Sequence, residues 1–201
     1  MLIIEHSFKK KVFSNRTSVV YDLEYTSWPG SNDNIENLPG KHHEIVQIGA
    51  ITIEMQGDIL EVGSFQTLVC PQKNPVLSDY FINLTGITQE RVEREGILFP
   101  SALKQFVNFI GEHSLKILSN GCDDLIIKEN CKIHNISFPS VFLNAINLKP
   151  YFAETLGRPL ADCTSGVLPE LFGLKSNAKT HDALADSRSI AQVLRYLWMD
   201  G

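Results

Sequence analysis

Between Ser18 and Glu24 the chain reads "SVVYDLE", a run rich in Val, Tyr and Leu that predicts a strand. Two further β-rich runs follow, "EIVQIGAITIEM" and "DILEVGSFQTLVC", hinged at Gln56-Gly57-Asp58 as a hairpin with glycine in its turn. From residue 78 the apolar spacing becomes helical. "SDYFINLTG" and "TQERVERE" predict two short helices separated by Gly86, and "PSALKQFVNFIGE" a longer amphipathic one. "LKILS" reads as a short buried strand ending at Asn120-Gly121, with "DDLIIKENCKIH" helical after it. The first half of "VFLNAINLK" reads as a fifth strand that runs into the helix "LKPYFAETLG". "TSGVLPELFG" predicts a short helix stopped by Gly173, and "HDALADSRSIAQVLRYLWM" the last and longest. Three meander strands, then strands alternating with helices, predict an α/β domain with a mixed five-stranded sheet flanked by helices. Between the first two strands, "TSWPGSNDNIENLPGKHH" is polar and carries Pro and Gly, so residues 26–43 predict one long exposed loop. Loops of that length inside compact domains are more often functional or mobile than inert.

Composition narrows the class. With 201 residues, 43% of them hydrophobic, the chain suits one well-buried domain over residues 1–201. No segment approaches the ~18 apolar residues of a membrane span. "MLIIEHSFKKK" places its apolar run ahead of its charges, the reverse of a secretory signal. Cys70, Cys122, Cys131 and Cys163 are scattered, with no CxxC pair, which predicts reduced thiols and a cytoplasmic location rather than a disulfide framework or zinc. A net charge of −5 argues against a broad basic nucleic-acid-binding face. A local polyanion site built on cations stays open, because bound ions can reverse the sign of a site.

The acids change the picture most. Asp22 and Glu24 are two apart on a strand and so point to one face, where they repel each other and lose hydration. A divalent cation is the compensation such a pair calls for. Asp123 and Asp124 follow the fourth strand, at a sheet-to-helix turn where α/β proteins place sites. His181 stands at the mouth of the last helix, and Asp186 more than a turn further in, among Ala183, Ser189 and Ile190. Carboxylates bind Mg²⁺ or Mn²⁺ through hard oxygens, and two ions roughly 3.5–4 Å apart stabilise both the attacking and the leaving oxygen of a phosphodiester. A neutral histidine beside them can take a proton from the attacking water.

In this order, "DLEYT", "NGCDD" and "HDALAD" resemble the motifs of the DEDDh (DnaQ-like, RNase H-like) 3′–5′ exonucleases. "HEIVQIGAI", "YFINLTGIT" and the run from "NLKPYFAETLG" to "HDALADSRSIAQVL" resemble the connecting segments, so the likeness covers about residues 17 to 198. "DLEYTSW" and the loop up to "PGKHHE" look closest to the branch that trims the 3′ ends of small RNAs, histone mRNA and ribosomal RNA, with the bacterial KapD-like proteins. The resemblance implies an RNase H-like fold with helices on both faces of the sheet, and an exonuclease that releases nucleoside 5′-monophosphates from single-stranded 3′ ends, RNA preferred. It implies two Mg²⁺ or Mn²⁺ ions held by Asp22, Glu24, Asp124 and Asp186, with His181 as general base. Asp22 would bridge both ions. Of the doublet, the spacing from Gly121 favours Asp124 over Asp123; Cys122 beside them reads as a small filler.

The remaining candidates carry two readings each. Tyr80, Phe81 and Leu84 share one short helix, as core residues or, for Phe81 and Leu84 by the resemblance, as contacts to the terminal bases. Thr26 is implied as a contact to the 3′-terminal nucleotide. Trp28 either covers the substrate or pins the loop. His42 and His43 point to opposite faces and read as a loop-to-strand junction rather than ligands; His6, His113 and His134 are given no role. Lys175, Lys179 and Arg188 either line the strand's path or are solvated charges. Three rival functions remain: a DNA-directed 3′–5′ exonuclease, an HD-type phosphohydrolase suggested by His181-Asp182, and a catalytically silent binding relative. The last is opposed by the intact set of motif residues, the second by the lack of upstream helical histidines.

Overall fold

The structure is a computed structural model and describes residue 12 and residues 16–30, 39–111, 116–176 and 180–199. Its frame is a sheet of β1 (Thr17–Tyr25), β2 (Ile45–Met55), β3 (Ile59–Cys70), β4 (Ile97–Leu98), β5 (Lys116–Ser119) and β6 (Ile146–Asn147). Their spatial order is β4-β3-β2-β1-β5-β6. β1, β2 and β3 run antiparallel as a meander, while β5 lies parallel to β1 and β6 parallel to β5. The helices are α1 (Asp79–Thr85), α2 (Gln89–Glu95), α3 (Phe99–Ile110), α4 (Asp123–Ile133), α5 (Lys149–Leu156), α6 (Leu168–Leu171) and α7 (Ala183–Met199).

Alternation along β1 sorts its side chains into two layers. Val19, Tyr21 and Leu23 enter a core with Phe99 and Phe106 of α3 and Ile127 and Cys131 of α4. Val20 enters the opposite core with Phe152 of α5 and Ile190, Val193 and Leu194 of α7. Asp22 and Glu24 share the parity of Val20. That face therefore passes from packed core to acids as β1 runs toward its C-terminal end.

Helix α7 meets the sheet closely because Gly49 of β2 has no side chain: a β-carbon there would overlap the backbone of Ala183 and Leu184. Two buried polar groups fix the approach. The side-chain carbonyl of Gln47 accepts from the Ala183 N–H at 2.9 Å, and the Ser187 hydroxyl donates to the Gly49 carbonyl at 3.0 Å.

The α/β class and the mixed sheet agree with the expectation, and two details differ. The sheet has six strands among the described residues rather than five. The additional one, Ile97–Leu98, pairs only with Val69 and Cys70 and is too short for any periodicity to show. The fifth predicted strand is displaced: the first half of "VFLNAINLK" falls in a 3₁₀ turn, Ser140–Asn144, that buries Phe142, and the strand is Ile146–Asn147. Pro139 starts that turn, its carbonyl accepting from the Phe142 N–H at 3.2 Å. The hairpin turn falls where expected, with Gly57 at φ 77°.

The ends of the long loop are held. Thr26 and Glu44 pair through their backbones, and Lys41 Nζ lies 4.6 Å over the Trp28 ring, so Trp28 takes part in pinning the loop. Residues 31–38 of that loop, together with His6, His113 and Lys179, lie outside the described residues. All four cysteines are free, and no helix among the described residues is long and apolar enough to cross a membrane.

Candidate active site

A cavity of about 480 Å³ opens where β1 ends, lined by Asp22, Glu24 and Tyr25 of β1, Asp123 of α4, Lys149 of α5, and His181 and Asp186 at the start of α7. Ligand atoms of Glu24, His181 and Asp186 all lie within 4.8 Å of one another. Residues distant in sequence thus converge because α7 docks on β2 with its first turn against the end of β1.

Asp22 and Asp186 meet few donors among the described residues. Asp186 Oδ2 accepts from the His181 backbone N–H at 3.0 Å, but its Oδ1 is buried and accepts no hydrogen bond among the described residues. Asp22 Oδ1 accepts from the Ser165 hydroxyl at 2.8 Å. Surrounding protein pushes the Asp22 carboxyl well above the usual range, and the charges of Asp123, Glu24 and Asp186 push it the same way against that one hydrogen bond. Burial raises Asp186 to about 7, partly opposed by the His181 N–H, and burial raises Asp123 to about 6. His181 moves the other way: partial burial lowers its pKa, which keeps the imidazole neutral near pH 7. Its backbone sits at φ 59°, a left-handed conformation uncommon outside glycine and one that collects at functional sites.

The donor set suits a divalent cation. Several carboxylates crowded into one cavity, an Asp186 oxygen that is buried and unpartnered among the described residues, and a neutral imidazole beside them form a hard-ligand site that a cation would complete.

Of the expected residues, Asp22, Glu24, His181 and Asp186 are brought together. Of the doublet, Asp123 is buried on the cavity wall, whereas Asp124, which the glycine spacing favours, is not among the lining residues. Asp123 begins α4 and its charge acts directly on Asp22. Glycine spacing alone could not choose, because the turn into α4 decides which carboxylate faces β1. Cys122, the small filler of the sequence, is exposed at the cavity, with the Asn147 amide 3.5 Å from its sulfur.

The substrate-side candidates separate. Leu84 lines the cavity. Phe81 does not: it is 1% exposed, in a small core with Val46, Leu68, Leu77, Ile87 and Val92. Thr26 is buried and absent from the lining; its hydroxyl donates to the His42 carbonyl at 2.6 Å and accepts from the Glu44 N–H at 2.9 Å. Tyr80 is half-buried and also absent from the lining. His43 packs its ring 4.8 Å from Tyr25 just ahead of β2, as a loop-to-strand junction. Arg188 pairs with Glu61 at 2.8 Å, and Lys175 stays off the cavity wall. Sequence reasoning missed Lys149, Asn120 and the Ser165-Gly166 pair. The last had one faint signal, two small residues just before a short helix.

A mixed sheet flanked by helices, with acids on its central strand and a histidine–aspartate pair on the closing helix, is an RNase H-like arrangement. The chain belongs to the exonuclease family of RNase T type, which it matches over residues 19–194. It is 27% identical over 167 residues to 3′-5′ exoribonuclease 1 of Rattus norvegicus, covering 79% of this chain and 48% of that protein. The Homo sapiens protein of the same name is 26% identical over 190 residues, covering 90% and 52%. The chain thus spans about half the length of these relatives. Among solved structures, the nuclease domain of 3′hExo, a DEDDh family member, bound to rAMP, superposes with a TM-score of 0.79 at 25% identity, covering 92% of this chain and 93% of that one. DEDDh exonucleases are metal-dependent.

Proposed function

We propose that this chain is a metal-dependent 3′–5′ exonuclease that releases nucleoside 5′-monophosphates from single-stranded 3′ ends, with RNA preferred. The observation that carries the reading is the convergence of Glu24, His181 and Asp186, ligand atoms within 4.8 Å, on the cavity shared by Asp22 and Asp123. Asp22, Glu24, Asp123 and Asp186 would hold two Mg²⁺ or Mn²⁺ ions. Those ions, when bound, would supply positive charge to the attacking and leaving oxygens of the phosphodiester.

The chain's own groups do the rest. His181, neutral through burial, accepts the proton of the attacking water at a ring nitrogen. Asp186 holds the His181 backbone in place through its N–H, so one carboxylate both serves the cation site and orients the base. Leu84 and Tyr25 offer apolar surface to the terminal base, and stacking or packing there contributes about 1–3 kcal/mol per base. Lys149 is the one cationic side chain among the described lining residues and gives the phosphate chain a counter-charge. The acidic net charge suits a short grip on a free end better than a long electrostatic track. RNA preference is supported by the exoribonuclease names of the relatives and by the rAMP held by the 3′hExo domain. The four free thiols support a reducing, cytoplasmic setting.

The test is cleavage of matched 5′-labelled RNA and DNA oligomers with 3′ overhangs, in Mg²⁺, Mn²⁺ or EDTA. A descending ladder with metal, silent in EDTA and faster on RNA, is expected. No ladder under any metal overturns the proposal.

A further inference from the structure

Asp22 and Asp186 come from opposite ends of the chain, repel each other, and yet stand in one cavity. Something must hold both against that repulsion. Four consecutive residues, Thr164 to Val167, line the same cavity. Within them, the Ser165 hydroxyl donates to Asp22 Oδ1 at 2.8 Å across 143 positions of sequence.

The direction of that hydroxyl proton is itself set. The Asn120 amide nitrogen lies 2.9 Å from the Cys163 carbonyl oxygen and 3.4 Å from Ser165 Oγ. The Cys163 carbonyl can only accept, so the –NH₂ side of Asn120 must face it. Ser165 Oγ then receives the second amide N–H and has its own proton left for Asp22. Asn120 is 5% exposed and Ser165 9%, so water offers little competition. Gly166 follows at once. A β-carbon there would fall 2.7 Å from Thr180 Cγ2 and 2.9 Å from Asp186 Oδ1, the buried oxygen that no donor among the described residues meets. One dipeptide therefore binds Asp22 with a side chain and, by lacking a β-carbon, leaves space beside Asp186.

We infer that Ser165-Gly166 is a positioning element for the cation site: Ser165, aimed by Asn120, fixes the rotamer of Asp22, and Gly166 leaves Asp186 room to seat its unpartnered oxygen toward the cation. This rests on the reading of the acids as a cation site. Neither residue touches the reacting atoms; both act through the carboxylates.

Calorimetric titration of the whole chain with Mn²⁺ alone, without substrate, reads the inference directly. Partners of metal ligands typically change affinity by about 10- to 100-fold when lost. Ser165→Ala is expected to weaken Mn²⁺ binding by about that factor, with Ser165→Thr recovering most of it, whether or not the melting temperature in EDTA falls. A merely structural role would lower that melting temperature and leave Mn²⁺ affinity alone. Gly166→Ala is expected to weaken binding through Asp186. Asn120→Ala, which keeps the hydroxyl but frees its proton, is expected to give a smaller loss in the same direction and serves if Ser165→Ala does not fold. Unchanged Mn²⁺ affinity in folded Ser165→Ala, or in Asn120→Ala where Ser165→Ala does not fold, overturns the inference while leaving the cation site standing. Absence of Mn²⁺ binding by the unaltered chain overturns both.

Discussion

Glu44 and Asp186 are both buried acids, 1% and 4% exposed, and their surroundings could hardly differ more. Glu44 sits in a nest of backbone donors, its carboxylate accepting from Gln72 at 2.6 Å, Lys73 at 2.9 Å and Asn74 at 2.5 Å. Those bonds tie the start of β2 to the turn after β3, and with Thr26 they hold the two ends of the long loop. Among the described residues Asp186 has one backbone donor for one oxygen and none for the other, and it shares its cavity with Asp22, Glu24 and Asp123. Burial is common to both; supply of donors is not. A buried carboxylate that the backbone satisfies is a brace, and a group that crowds its charges into one cavity calls for a cation.

That contrast can be broken by substitution. Asp22→Ala and Asp186→Ala are expected to abolish cleavage of the labelled RNA while the circular dichroism spectrum is kept, because removing a repelling acid relieves the fold. Wild-type-like rates in either would sink the cation assignment. His181→Ala comes next: the rate is expected to fall by roughly 10²–10⁴-fold, the usual range for a lost general base, with Mn²⁺ binding still measurable by calorimetry. Glu44→Ala should do the opposite kind of damage. It strands three backbone donors, so chemical denaturation should register a loss on the order of 3 kcal/mol, while folded molecules keep their Mn²⁺ affinity.

Two smaller effects concern the Asp123–Asp124 doublet and pH. Asp123→Asn is expected to weaken Mn²⁺ binding by about 10-fold, and Asp124→Asn to leave it unchanged; the reverse result would return the role to the residue that glycine spacing favours. The smallest effect concerns pH. Asp186 at about 7 and Asp123 at about 6 stand above the ordinary aspartate value of 3.8, so the folded chain binds their protons more tightly than the unfolded chain does. Stability is then highest below about pH 4 for these two groups and falls as pH rises through 6 and 7. In EDTA the melting temperature should decline across that interval, and Mn²⁺ should remove the decline. A flat profile in EDTA would mean that the acids are already satisfied within the protein.

Much of this was legible in the chain itself. Strand alternation placed Asp22 and Glu24 on one face of β1, and helical spacing turned Asp186 inward, because both depend on local geometry with a fixed period. The hairpin at Gly57 and the stops at Gly86 and Gly173 were readable for the same reason, each being a left-handed position that glycine occupies without strain. Tertiary structure alone decided what depends on how elements meet. The angle at which α4 leaves β5 puts Asp123, not Asp124, on the cavity; packing beneath α1 buries Phe81 and leaves Leu84 at the site; closure of the loop ends uses up the polar groups of Thr26. The bond from Ser165 to Asp22 spans 143 positions and has no sequence period to announce it. Periodicity reports which way a side chain points from its own element, and only packing decides what it then meets.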